Sequence, residues 1–459
     1  MDLLLLQAII RPIFGTFEIE EFKKFLRMGL VFTSILGVYW TIRLLKDVVL
    51  ATLVGAHHIP YAKTASLFFI VLFLVVYNRL LNLYSREKVF YLIISFYTFV
   101  FVVVACLLLL FEYVPHSQGF GWWCSLAFGY SNYVLTESFG SIVVALFWAI
   151  ASDTTYPESA KKGFYLVTAL GQFGGIVLPA LLTRLPGWFH FESTAVTFFA
   201  VIPFSFLVLW SMRLFFTKTP QALMQTFTGS CEVTVKQHDE AGFFEGLKLI
   251  VTRYYLLGIF ILIMSFEAIV SVFDFNFKVL AAQTYGGPAL GVYLANYGGV
   301  VNTIALLCLL LGISNITRVL GVSVALILVP IIMGGALIGF ISLHSLTFLF
   351  WLMSGAKAVN YALNGPAIKQ LYIPTSEAAR FKAQSWIEGF GSRSGKGIGQ
   401  IVNGSLAPLQ RMFGVIAGKM RYMGISAIFG FSLVALWTVA AFLVGKRYNH
   451  AVKDKKLVC

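Results

Sequence analysis

Five of the 34 Lys and Arg residues lie inside long apolar runs: Arg43, Lys46, Lys357, Arg393 and Lys396. The same runs hold the carboxylates Asp47, Glu137, Glu267, Asp274 and Glu388. One charge at mid-bilayer costs roughly 2.5–3.5 kcal/mol, so several of one sign persist there only with partners or a water-filled path. Arg43 and Lys46 are three residues apart and share a helix face, and Asp47 follows Arg43 by four, the spacing of an intrahelical ion pair. Asp274 and Lys278 repeat that spacing; Lys278, near a span end, either snorkels to the interface or joins the set, and Glu267 serves either it or a structural pair. Such basic groups can converge on phosphate or carboxylate oxygens while the acids keep the empty site tolerable. The expected cargo is an anion, with Tyr39, Trp40, Phe139 and Trp148 as rings on which a base or a cation can stack.

Elements must place these residues, and composition says which kind. Of 459 residues 59% are hydrophobic and 12% charged, and the mean hydropathy is +0.84, far above an ordinary soluble domain. Runs of roughly 20 apolar residues recur about twelve times: near 28–53, 62–84, 89–112, 131–152, 163–184, 194–216, 254–277, 288–312, 319–342, 344–364, 385–408 and 422–445. The longest polar stretch among them, 217–253, follows the sixth run. The expectation is an all-α polytopic membrane protein of about 12 transmembrane helices: a six-helix half over 1–216, a cytoplasmic linker over 217–253 and a second half over 254–459. That plan is usual for secondary transporters and names no substrate. The first run starts near Met28, so no cleaved signal or transit peptide is expected.

The net charge of +14 has its first use in orientation rather than in nucleic acid, which is not an expected partner. On one set of alternate loops lie 23 basic residues and on the other only six, although Arg411, Lys419 and Arg421 share one outer loop; both termini are expected in the cytoplasm. The five cysteines show no metal or disulfide spacing, and the seven histidines show no catalytic motif, so neither an enzyme nor a cofactor is expected. The stretch Trp386–Gln400 looks superficially like a P-loop, but Phe390 stands where a glycine is needed and Gly397 where Ser or Thr is. Its glycines instead permit close helix approach or an unwound segment lining a cavity, and Gly171-Gln-Phe-Gly-Gly175 holds the corresponding place in the first half.

Several motifs resemble the non-mitochondrial ATP/ADP translocases of obligate intracellular bacteria and plastids. Arg43-Leu-Leu-Lys-Asp47 is similar to that family's Arg-x-x-Lys-Asp, and Glu137-Ser-Phe-Gly140 with Leu146-Phe-Trp148 to its fourth-helix pattern. Glu158-Ser-Ala-Lys-Lys-Gly-Phe-Tyr165 matches with one extra residue, and Tyr372-Ile-Pro374, Lys382-Ala-Gln384, Glu388 and Arg393-x-Gly-Lys396 fall in register. The resemblance implies a major-facilitator-like fold in a cell inner or envelope membrane that moves nucleotides such as ATP and ADP by alternating access. It carries transport roles over onto Lys46, Glu137 and Asp274; taken with the charges in the spans, the expected substrate-binding set is Arg43, Lys46, Glu137, Asp274, Lys278, Lys357, Lys382, Glu388, Arg393 and Lys396. Asp274 stands where the family usually has Glu, Asn364-Gly365 replaces Phe-Asp, Ile368-Lys369 replaces Lys-Glu, Asn360 replaces a Lys, and Phe139 replaces a Trp. The alternative is proton-coupled import of another nucleotide, of NAD or of a different organic anion.

Overall fold

A computed structural model of the protein describes residues 11–54, 58–112, 120–185, 195–224, 230–231, 245–284, 287–343 and 345–458. The Asp47 side chain, linker residues 232–244 and histidines 57, 116, 190, 238 and 344 lie outside the described residues.

The chain runs α1 Ile19–Leu53, α2 Ile59–Leu83, α3 Arg86–Glu112, α4 Phe120–Asp153, α5 Pro157–Leu182 and α6 Ala195–Lys218. A short α7, Glu245–Thr252, leads into α8 Tyr254–Thr284, α9 Gly287–Leu310, α10 Val322–Ser342 and α11 Leu346–Val359. Then come α12 Gly365–Leu371, α13 Gln384–Trp386, α14 Ser392–Gly404, α15 Leu406–Phe413 and α16 Val415–Asp454. Glu18 and Glu21 form a reciprocal capping box that starts α1. Pro157 opens α5 where its missing N–H costs nothing, with Glu158 at the positive end of the helix dipole.

Among the described residues nine helices are long and apolar enough to cross a membrane: α1 to α6, α8, α10 and α16. The expected spans at 288–312, 344–364 and 385–408 are helical but fall outside that group. α11 passes through a π turn, Asn360–Asn364, into α12, and two more π turns, Ala379–Ala383 and Ile387–Gly391, interrupt the approach to α14. α14 itself carries Arg393, Lys396, Gln400 and Asn403 among its glycines, which no uninterrupted lipid-facing helix tolerates. Exposed Phe96, Phe99 and Leu110 on α3 and Phe431, Phe442 and Leu443 on α16 give these helices apolar outer faces. Such faces fit lipid contact, as helices that satisfy their own backbone hydrogen bonds allow.

α1 packs on α4, α5 and α6, and α3 on α6; later in the chain α8 packs on α14 and α16, and α10 on α16. Glycine permits two close helix approaches. On α5, a side chain at Gly174 would meet the Thr33 carbonyl of α1. On α14, a Cβ at Gly395 would fall 2.5 Å from the Met264 carbonyl oxygen of α8, and one at Gly399 would fall 2.6 Å from that of Ala268. The glycines of α14 thus serve close helix approach rather than an unwound segment.

The two helix groups meet at the end of the bundle that carries the linker. The Tyr165 hydroxyl of α5 hydrogen-bonds Thr317 in the π turn Ile316–Leu320, and Ser314 Oγ donates to the Ile13 carbonyl at 2.7 Å. A two-residue parallel ladder pairs Ser230–Cys231 of the linker with Lys456–Leu457 of the tail. Val458 N donates to the Pro374 carbonyl at 2.7 Å beside it.

Candidate functional site

In the first helix group the site is built on α1 and α4. Gly140 on α4 leaves room for the Tyr39 ring and draws the two helices together. Lys46 Nζ then reaches Glu137 Oε1 at 3.3 Å and lies 3.8 Å from the centroid of the Tyr133 ring. The Arg43 guanidinium sits 4.8 Å from the Trp40 ring and 5.7 Å from that of Tyr39. Arg393 arrives from α14 in the second group: its Nη2 lies 3.3 Å from Glu137 Oε2 and 3.4 Å from the Glu137 carbonyl oxygen. Its buried Nη1 makes no hydrogen bond among the described residues, so this cation bridges the groups with donor capacity to spare.

The second group repeats the arrangement around α8. Asp274 holds Lys278 of its own helix at 2.6 Å and Lys357 of α11 at 3.5 Å, and Lys357 lies 5.1 Å from the Tyr297 ring. One turn and more back, Glu267 accepts from Ser392 Oγ at 2.9 Å and faces Lys396 at 3.7 Å. The side chains of Lys278 and Lys396 are each 51% exposed, so paired cations still present much of their surface to the space between the groups.

Sequence reasoning missed Lys63. It stands at the very edge of the expected span 62–84 and is not among the five basic residues read as intramembrane, whereas α2 begins at Ile59 and puts it a full turn inside the helix. Its ammonium lies in electrostatic range of Lys278, Lys396, Asp274 and Glu137. A lysine just inside an apolar run was the available signal. Two expected residues stand apart from the cluster. Glu388 pairs with Lys369 and accepts from Gln384 Nε2 at 2.7 Å, while Lys369, which falls between the expected spans 344–364 and 385–408, is half-buried 5.8 Å from the Trp148 ring. Lys382 lines a cleft of about 730 Å³ at the linker end, with Asp153, Glu377 and Phe381.

That cleft borders a second layer of charge. Asp153 at the end of α4 pairs with Arg86 at the start of α3 and with Arg380 Nη2 at 3.0 Å, and Arg86 Nη2 reaches Glu377 at 2.8 Å. Arg380 Nη1 also donates to the carbonyls of Ile373, at 2.9 Å, and Thr375. Burial pulls the Arg380 guanidinium down to about 10, the neighbouring Arg86 adding to the fall, which leaves it charged at neutral pH.

Two packed helix groups, closed at one end by ion pairs and holding a cation-rich cluster between them, define a secondary transporter of major-facilitator-like architecture. Residues 6–350 match the model of the TLC ATP/ADP transporter family, and the chain belongs to that family. ADP,ATP carrier protein 1 of Rickettsia typhi is 26% identical over 97% of both chains. The fold is similar to a bacterial homologue of the iron transporter ferroportin in an outward-facing state, with a TM-score of 0.64 at 9% identity over 92% of this chain and 99% of that one. It is similar as well to the major facilitator superfamily transporter FucP in an outward conformation, with a TM-score of 0.57 at 13% identity over 90% and 98% of the two chains.

Proposed function

We propose that the protein carries nucleotides across a membrane by alternating access, exchanging ATP for ADP, with phosphates held by the central cluster. The observation that carries this reading is a charge surplus. Among the described side chains, Arg43, Lys46, Lys63, Lys278, Lys357, Arg393 and Lys396 share electrostatic range with the carboxylates Glu137, Glu267 and Asp274. Seven cations against three carboxylates among the described side chains make a basic surplus, which suits a polyphosphate. The rings of Trp40, Tyr39, Tyr133 and Tyr297 beside those cations offer stacking faces for a base.

In this reading residues 1–216 and 254–459 are the two moving halves and 217–253 is a cytoplasmic linker, with both termini on the same side of a cell inner membrane. Glu388 with Lys369 and Lys382 at the linker-end cleft then line the route that opens when the halves rock the other way. A second reading, proton-coupled import of another nucleotide or of NAD, rests on a neutral pair: Asn364 Nδ2 donates to Asn360 Oδ1 at 2.8 Å, just beyond Lys357.

Uptake of labelled ATP into proteoliposomes, with and without internal ADP and with an uncoupler, tests both. Uptake that needs internal nucleotide and ignores the uncoupler supports exchange. Collapse with the uncoupler supports the second reading, and the absence of any nucleotide uptake or competition sinks both.

A further inference from the structure

A separate cleft of about 520 Å³ opens where the segment before α1 meets the start of α5 and the π turn Ile316–Leu320, and Arg11, Thr16, Glu158, Lys162 and Arg318 line it with Gly15. Two of its charges are already committed. Lys162 Nζ donates to Glu21 at 2.6 Å and to the Thr16 carbonyl at 2.9 Å, and Glu158 accepts from Lys161 at 2.9 Å. The guanidinium groups of Arg11 and Arg318 have neither an ion pair nor a hydrogen bond among the described residues, and both residues are exposed. The Arg318 guanidinium lies against Gly15, whose φ of +98° and missing Cβ make the space that the side chain occupies.

Placement says what the two arginines face. Arg11, Glu158 and Lys162 belong to the first helix group and Arg318 to the second, and the cleft lies over the seam that Tyr165–Thr317 and Ser314–Ile13 hold shut. Immediately beside it in the chain, Ile19, Leu311, Val319 and Leu320 are exposed apolar side chains. Guanidinium groups next to apolar helix surface suit a ligand with a phosphate and an acyl chain rather than a free ion.

We infer that this cleft binds the phosphate of an anionic phospholipid headgroup through Arg11 and Arg318, and that the lipid so bound bridges the two halves and favours the state closed at the linker end. The site is remote from the central cluster, and the inference stands whatever the transported solute.

Native mass spectrometry of the full-length protein with phosphatidylglycerol and phosphatidylcholine tests it. Selective retention of phosphatidylglycerol is expected, falling about fivefold in Arg318→Gln, the weight of one basic residue at a membrane surface. Arg318→Lys is expected to keep most of the retention, and Glu158→Gln to raise it by removing a competing carboxylate. Equal retention of the two lipids, or an Arg318→Gln protein that keeps phosphatidylglycerol as well as wild type, overturns the proposal. Displacement of the lipid by millimolar inorganic phosphate also overturns it, because the occupant is then a free anion. If Arg318→Gln does not fold, Glu158→Gln decides: a gain supports the site and no gain removes it.

Discussion

In the central cluster Glu137 holds Lys46 and Arg393 at 3.3 Å each, and Lys396 stands 3.7 Å from Glu267 with half its side chain exposed. At the linker end Asp153 and Arg380 are each only 4% exposed, and two arginines, Arg86 and Arg380, answer two carboxylates, Asp153 and Glu377. Both layers tie one helix group to the other, yet among the described side chains the central one keeps surplus cations, whereas the linker-end layer neutralises itself. A self-neutralised layer has no electrostatic call on a solute and can act as a latch, while a layer in surplus gains by taking up an anion.

The comparison breaks first at Lys46. Lys46→Ala is expected to abolish nucleotide uptake, since each charge-assisted bond to phosphate is worth about 1.5–3 kcal/mol and the bridge to Glu137 goes with it. The protein still inserts, because one charge fewer in α1 eases insertion, so membrane yield is measured alongside uptake; normal uptake would take Lys46 out of the site. Asp153→Asn leaves the buried Arg380 and the half-buried Arg86 with weakened company and is expected to cost the closed linker end about 3 kcal/mol. Thiol labelling of a cysteine placed at Thr154 should speed up severalfold, and unchanged labelling would show that the layer is no latch.

Gly395→Val forces a side chain onto the Met264 carbonyl and is expected to lose about 1–3 kcal/mol of packing between α14 and α8, read as a lower melting temperature in detergent. A wild-type melting curve would mean that the helices do not meet there. Lys63→Gln removes one of the seven cations and no direct ion pair among the described residues, so KM for nucleotide should rise about fivefold with little change in maximal rate. A KM equal to wild type would leave Lys63 a bystander. Least of all, Lys23→Ala loses only an exposed pair with Glu20 and should shift stability by less than about 0.5 kcal/mol; a larger loss would contradict the weight given to burial throughout.

Much of this was legible beforehand. The surplus of basic residues in apolar runs named Arg43, Lys46, Lys357, Arg393 and Lys396 without any structure, because lipid penalises each charge on its own and only a functional or paired residue survives. The i, i+4 spacing of Asp274 and Lys278 predicted the pair seen at 2.6 Å. Lys369 was misplaced because loop assignment follows local hydropathy, and π-wound turns between α11 and α14 carry it into the protein interior against Glu388 and Trp148. Lys63 escaped because it stands at the edge of an apolar run, and spacing along the chain does not show that Asp274 of another helix lies within electrostatic range of it.

The sequence by itself determined that the chain is a helical membrane protein with charges buried in its spans, since apolar run length and charge are additive local properties that a bilayer reads directly. Only the tertiary structure decided which charges share a partner, that Arg393 crosses to Glu137 while Glu388 turns to Lys369, and that the linker end closes through Asp153. Those outcomes depend on contacts between residues hundreds of positions apart, where the close approach of glycine-bearing helices, not spacing along the chain, sets the distances.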